Sequence, residues 1–210
     1  MHLAEGILSG PILLGGAVLA VAGTAIGLKK IDQERIMTTA LLGAAFFVAS
    51  LVHVPVGPGS AHLLLNGLMA LILGWGCFPA ILVALVLQAL FFQFGGFTVL
   101  GVNVVIIAGS GLLGSFFFRP WLVSPAKRAL AAFLAGFLSV ACAALFMALI
   151  LVSTDQHFLA TAKVVFVAHL PVMVVEGLIT MFVVQFLARV QPEILNIAPD
   201  GKGRGEKNGF

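Results

Sequence analysis

Charge is what this sequence has least of. Only 9% of its 210 residues are Asp, Glu, Lys or Arg, whereas 61% are hydrophobic and the mean hydropathy is +1.17. Soluble domains usually carry about a quarter charged residues, so composition excludes that class and points to an integral membrane protein. Cysteine is also scarce: Cys77 and Cys142 lie far apart in apolar runs with no C-x-x-C pairing, and read as small packing residues. No G-x-x-x-x-G-K-[ST] loop is present, so this chain does not itself hydrolyse ATP. Neither H-E-x-x-H nor G-x-S-x-G occurs, which argues against an intramembrane hydrolase; the chain is expected to be a non-catalytic subunit. The N-terminus lacks a basic n-region and an A-x-A-like cleavage site, so it does not read as a removable signal peptide. A net charge of +3, spread between apolar runs, offers nothing to nucleic acid.

What is present is apolar sequence in helix-length runs, which predicts an all-α integral membrane protein rather than a barrel. Seven spans are expected, over residues 11–28, 36–54, 62–75, 79–94, 98–118, 129–152 and 164–188. The third and fourth are short for a hydrocarbon layer about 30 Å thick, and Gly and Pro flank both. Irregular backbone at such places is tolerated only where it lines a cavity or is buried in protein. The segment concerned is Pro55-Val56-Gly57-Pro58-Gly59-Ser60-Ala61. With the N-terminus outside, the inner segments hold ten of the eleven basic residues, from Lys29, Lys30 and Arg35 to Lys202, Arg204 and Lys207, and only Lys163 is outside. The positive-inside rule therefore orients the chain N-out and C-in. Residues 1–190 read as one transmembrane metal-binding domain, and residues 191–210 as a cytoplasmic tail.

On that orientation His2, His53, His62, His157 and His169 all fall at or near the outer face. The first two residues carry the chemistry. A His at position 2 is too bulky for efficient removal of the initiator, so Met1 is expected to keep a free amine. That amine, the deprotonated amide of His2 and the His2 imidazole form two fused chelate rings, three nitrogens in one plane. A fourth nitrogen completes a square that suits Ni(II), Cu(II) or Co(II) and does not suit Mg(II) or Ca(II). His62, expected to open a helix just after the Gly/Pro segment, is the chosen fourth ligand. His53 is a weaker candidate. Asn66, Gln93 and Asn103 are candidates for orienting the ligating imidazoles, with helix packing as their other reading. Asn66 is expected four residues beyond His62 on the same helical face. Glu176 is an acid deep within the seventh span, with His169 two turns before it. Both are expected to face the bundle interior and hold helices together. Glu5 anchors the N-terminal segment or is simply exposed.

Met1-His2-Leu3-Ala4-Glu5-Gly6, the segment from Pro55 through Ser60-Ala61-His62-Leu63 to Gly67, and the run Gln88 to Asn103 together resemble the CbiM/NikM family. The stretch from His169-Leu170-Pro171 through Glu176-Gly177 to Gln191-Pro192-Glu193 is similar to that family too, so the resemblance covers nearly the whole chain. It implies the substrate-binding membrane component of an energy-coupling factor (ECF) transporter for cobalt and nickel. The metal, as transported substrate and not cofactor, would be held by the Met1 amine, the His2 amide and imidazole nitrogens, and the His62 imidazole. Implied partners are a transmembrane coupling protein, two cytoplasmic ATPase subunits and often a small accessory membrane protein, in the plasma membrane of a prokaryote. One departure stands out: Gly57-Pro58-Gly59-Ser60 replaces the Gly-Gly-Thr-Ser frequent in relatives, and Leu65-Asn66 falls where small residues are frequent. The alternative is a proton-coupled secondary metal-ion transporter using Glu176 and His169 as its relay. Nitrogen ligation predicts that affinity falls as pH drops through the amine and imidazole range, roughly 6 to 8.

Overall fold

The computed structural model describes residues 3–51, 53–56 and 59–197. Met1, His2 and residues 198–210 of the tail lie outside the described residues. The first helix, α1 (Gly10–Lys29), starts after Ser9 with Pro11 in its first turn and ends on Lys29, a charge that complements the C-terminal dipole. It buries only Gly16, Ala20, Gly23 and Gly27. That stripe of small residues lets neighbouring backbones come close, as membrane helices do when lipid supplies no hydrophobic drive. The rest of α1 is apolar and exposed, with Leu14 and Val21 both 70% accessible, a surface suited to lipid. Helix α2 (Gln33–Leu51) returns and leads into a hairpin of β1 (His53–Val56) and β2 (Gly59–His62).

The hairpin is the one departure from an all-helical chain among the described residues. Its antiparallel register places His53 opposite His62 and Val56 opposite Gly59. Pro55 is tolerated because a two-stranded ribbon leaves each strand one unpaired edge. After it come α3 (Asn66–Leu73) and α4 (Cys77–Phe92), separated by a 3-10 turn at Gly74–Gly76. Next is a composite helix of α5 (Leu100–Val104), a π-helical turn (Val105–Gly109) and α6 (Ser110–Phe118). Helix α7 (Pro125–Thr154), α8 (Leu159–Ala168) and α9 (Leu170–Val190) complete the bundle.

Among the described residues six helical stretches are long and apolar enough to cross a membrane, and Asn66–Phe92 is one of them. That stretch nevertheless reverses direction. Asn66 bonds to Ser110 and Ser115 bonds to Ala70, so α3 runs parallel to α6. Helix α4 instead meets the C-terminal end of α1 with its first turn, where Cβ atoms on Gly23 and Gly27 would overlap Phe78 and Pro79. It then climbs beside α2, where Gln88 bonds to Ser50. Gly74, at φ 56° and ψ −128°, makes the reversal. The expected third and fourth spans are thus a half-length descent and a full return, which gives about seven passes.

Two corrections follow for the expected elements. His62 does not open a helix: it ends β2, and α3 begins at Asn66. Asn66 is therefore not on a helical face shared with His62. The descending helix starts late because Leu65 adopts a left-handed conformation, φ 46°, which breaks helical continuity just before it.

The bundle has two unlike ends. One gathers Lys29, Arg35, Arg119, Lys127 and Arg128, with Arg35 donating to Asn196 at 2.5 Å. The other carries residues 3–9, the hairpin, the loop between α4 and α5, and Asp155–Phe158. The helices are locked together where α3, α7 and α9 cross. A Cβ on Gly136 would sit 2.6 Å from Thr180 Oγ1 and 2.7 Å from the Glu176 carbonyl oxygen, and one on Gly67 would sit 2.8 Å from Gly136 Cα. Gly136→Leu is expected to force α7 away from both partners and cost about 1–3 kcal/mol through overpacking. Thermal unfolding of the detergent-solubilised protein reads this as a lowered midpoint.

Candidate metal site

His62 is buried, with 3% of its surface accessible. Its Nδ1 lies 2.9 Å from the Leu63 carbonyl oxygen. A carbonyl only accepts, so Nδ1 carries the proton and Nε2 of the neutral ring carries the lone pair. Metal-bound imidazoles are commonly held in this way, the second ring nitrogen donating to a backbone carbonyl. Burial pushes the His62 pKa down from 6.5 to about 4, opposed by the bond to Leu63, and the nearby His169 imidazole lowers it further. His62 is therefore neutral, the form a metal requires, across the physiological range.

The segment after His62 is fixed from across the bundle by Glu176, which is fully buried in α9. Its carboxylate accepts from the amide of Leu64, and from the amide of Leu65 at 2.8 and 3.0 Å. Those amides stand just before α3, where a helix N-terminus presents partial positive charge and unsatisfied N–H groups. A membrane-embedded carboxylate is thereby stabilised by main-chain donors rather than by a cation. The strained Leu65 backbone costs on the order of 1–3 kcal/mol and persists because these bonds hold it.

A second pair of contacts fixes the N-terminal segment. Asn103 in α5 pairs with the main chain of Leu3: Oδ1 accepts from the Leu3 amide at 3.0 Å, and Nδ2 donates to the Leu3 carbonyl at 3.2 Å. Leu3 itself is buried in the core. Two residues on, the Glu5 carboxylate accepts from the Thr98 amide at 2.9 Å and from Thr98 Oγ1 at 3.0 Å. These bonds hold the exposed Glu5 below its usual pKa. Gly96, at φ +119°, leaves room for this carboxylate, since a Cβ there would overlap the Glu5 side chain.

Asn66 serves the descending helix. Its Nδ2 donates to the Ile107 carbonyl at 3.0 Å and to Ser110 Oγ at 2.9 Å, and its Oδ1 accepts from the Gly67 amide. Ile107 lies in the π-helical turn, which shifts the regular hydrogen-bond ladder and opens a carbonyl to outside donors. Asn103 and Ile107 are one helical turn apart, so Leu3 and the chain ahead of Asn66 approach the same stretch of this composite helix. Gln93 ends α4 with left-handed backbone, φ 56°, and is exposed. His53 is placed by its backbone opposite His62 in the hairpin. Met1 and His2 precede Leu3 outside the described residues. Among the described residues no three His, Cys, Asp or Glu side chains cluster as a cation site. Sequence reasoning missed that Glu176 grips the segment beside His62; the signal available was an unpaired acid in a span close to another helix start.

The sequence matches the family described as "Cobalt uptake substrate-specific transmembrane region" (CbiM) over residues 2–194. A Haemophilus influenzae protein described as a metal transport protein is 45% identical over 200 residues, covering 93% of this chain and 97% of its own. A fused nickel transport protein, NikMN, from Archaeoglobus fulgidus is 29% identical over 202 residues, covering 93% of this chain and 68% of its own. A crystal structure of a truncated transition metal transporter superposes with a TM-score of 0.81 at 28% identity, covering 89% of this chain and 98% of the other.

Glu176→Ala strands the buried Leu64 amide and the part-buried Leu65 amide and is expected to cost about 1–3 kcal/mol of stability, with Glu176→Gln between it and the native protein. Metal retention should fall in the same order, measured by equilibrium dialysis beside thermal unfolding. Gly96→Ala should displace Glu5 and weaken metal retention with little loss of the bundle, since Glu5 is exposed and the overlap lies at a loop. Retention equal to native in Gly96→Ala would separate the Glu5 tether from metal capture.

Proposed function

Because the chain belongs to the CbiM family of cobalt uptake transmembrane regions, we propose that it is the subunit that captures Ni(II) or Co(II) outside the cell for an ATP-driven ECF importer. The cation is held by the Met1 amine, the His2 amide and imidazole nitrogens, and Nε2 of His62. One observation carries the reading: Asn103 fixes both main-chain groups of Leu3 in a buried position. A chelate built on the chain end demands such fixing, because a free terminus would have to be ordered each time a cation bound. The neutral His62, already oriented by its bond to Leu63, meets the same requirement for the fourth nitrogen.

Nitrogen donors in a plane favour the later divalent transition metals over oxygen-seeking cations. The chain lacks an ATP-binding loop, so the energy comes from partners: a transmembrane coupling protein and two ATPase subunits, with a small accessory membrane protein as a further component. A relative in which the corresponding region is part of a fused nickel transport protein, NikMN, supports association with other transport components. The basic end of the bundle is the cytoplasmic one by the positive-inside rule, which puts the capture site outside, in the plasma membrane of a prokaryote.

The deciding experiment adds one residue before Met1. This turns the terminal amine into an amide and shifts His2 out of register, while every internal side chain stays. The native chain should keep close to one Ni or Co per chain through dialysis, by elemental analysis, and the extended chain should lose it. Equal retention by both forms would overturn the N-terminal site. Liposomes holding this chain alone under a pH gradient should show little uptake; robust uptake would favour the proton-coupled alternative.

A titration series adds a second test. Free amines and imidazoles take up protons between about pH 8 and 6, so nitrogen ligation predicts that affinity falls over that range. His62, with its pKa near 4, holds its lone pair there and should add a further loss only near pH 4. Full-strength binding at pH 5 would contradict nitrogen ligation.

A further inference from the structure

A cavity of about 780 Å³ opens at the basic end of the bundle, away from His62. One face of the composite helix forms a wall of it. Gly109, Leu112, Leu113 and Phe116 recur there at intervals of three and four, a groove about 10 Å long. A Cβ on Gly109 would meet nothing within 4 Å, and Phe116 is 76% exposed, so no described part of the chain fills the groove.

Three cations gather at its mouth. Arg119 opens the 3-10 turn that ends the composite helix (Arg119–Val123) and lines the cavity, where its Nη1 would lie 3.5 Å from a Cβ on Gly74. Arg35, near the start of α2, donates to Asn196, which caps the turn after α9 (Pro192–Leu195) and lines the same cavity. Lys30 Nζ stands 5.8 Å from the centre of the Trp75 ring, another lining side chain. Among the described residues no carboxylate lines the cavity or pairs with Arg35 or Arg119, and Asp32, Glu34 and Glu193 are exposed. Both arginines are half-buried, so their like charges are screened less than on an open surface. An anion between them would offset that repulsion.

Both tryptophans of the chain are at this end and exposed, with Lys30 5.8 Å from the Trp75 ring and Lys127 5.9 Å from the Trp121 ring. Tryptophan and lysine together mark the headgroup level of a bilayer. The cavity thus has an apolar depth along a membrane-crossing helix and a cationic rim at the headgroups, the two-part chemistry of an anionic amphiphile. We propose that it is a specific site for one anionic phospholipid of the leaflet at the basic end. The phosphate sits between Arg35 and Arg119, whose planar forks suit its oxygens, and Lys30 adds charge. One acyl chain follows the helix face from Phe116 to Gly109. The lipid would tie α2, the end of α6 and the turn after α9 to one another. The site does not depend on how the metal is held.

The test offers the full-length chain, in a neutral detergent, equal amounts of dioleoyl phosphatidylglycerol and dioleoyl phosphatidylcholine, and counts retained lipid by native mass spectrometry. The native chain should keep one phosphatidylglycerol in preference to phosphatidylcholine, and that lipid should raise its unfolding midpoint. Arg35→Gln and Arg119→Gln should each weaken retention about tenfold or more, the loss of a charge-assisted hydrogen bond. Gly109→Phe puts a ring in the groove, leaves every cation in place and should weaken retention as well. Unfolding of the lipid-free variants separates misfolding from lost binding. Equal retention of the two lipids by the native chain, or native retention by folded Arg35→Gln and Arg119→Gln chains, would overturn the proposal. Displacement of the lipid by an equal concentration of glycerol phosphate would also overturn it, in favour of a free-phosphate site. A photoreactive group at Leu113 should label phospholipid in native membranes. Labelling of a partner protein, or of residues 198–210 of this chain, with no lipid adduct would assign the cations to an acidic segment instead.

Discussion

The structure depends on one interaction: a carboxylate inside the membrane-spanning bundle accepting main-chain N–H groups from a different helix start. Glu176 reaches from α9 to Leu64 and Leu65. Within a bilayer every backbone donor must be satisfied by the protein, and a half-length helix that begins at depth has donors with no helical partner. The carboxylate resolves both problems at once. It quenches the exposed start of α3, and the partial positive charge there offsets the cost of burying the acid. The consequence reaches His62, because a segment fixed at residues 64 and 65 leaves the imidazole two positions earlier little freedom. Packing extends the constraint, since α3, α7 and α9 touch through Gly67, Gly136 and the Glu176 main chain without room for one added methyl group.

The N-terminal segment is governed by a similar economy of groups. Asn103 uses both ends of its amide on a single residue, as a neighbouring strand would, and so fixes position and direction together. Glu5 and Thr98 repeat the anchoring at the rim, where water screens it and it contributes less. The buried tether sets the geometry and the exposed one limits fraying. The two anchors bind the segment to the stretch between α4 and α6, whereas His62 is anchored to α9. The proposed capture site would then join two separately held parts of the bundle.

Much of this was legible in the sequence. Low charge and long apolar runs are dictated by the solvent, so the membrane class and the number of passes follow from composition and length alone. The short third and fourth spans pointed correctly to irregular backbone, because Gly74 and the Gly/Pro segment forbid continuous helix. Local pattern failed at His62: an apolar run with Asn66 four residues on reads as helix, yet the capture of two amides by a residue over a hundred positions away delays the start to Asn66. Glu176 illustrates why. A single acid in a span announces that it has a partner, but main-chain donors leave no trace in side-chain identity. The same holds for Asn103, read as an orienter of imidazoles or a helix-packing amide, whose partner is the backbone of Leu3. Gln93 is the converse case, a polar residue near the right end of the bundle whose backbone is spent on ending α4.

The packing also bears on the proposal that capture and release fall to different agents. On the proposed reading, a cation held beside His62 and bound for the basic end would pass the level where Asn66 meets the π-helical turn and where α3 lies against α6 and α7. There a Cβ on Gly111 would come within 2.6 Å of the Asn66 carbonyl oxygen, and one on Gly67 within 2.9 Å of the Ala135 carbonyl oxygen. Contacts of backbone on backbone do not open by side-chain rotation; whole helices have to separate. A site tight enough to retain a cation at trace concentration adds its own binding free energy to that barrier, since every kcal/mol gained in capture is lost in release unless the geometry changes. A rigid, close-packed level below His62 therefore accords with the proposed division of labour, in which this chain captures the cation and a partner does work to release it.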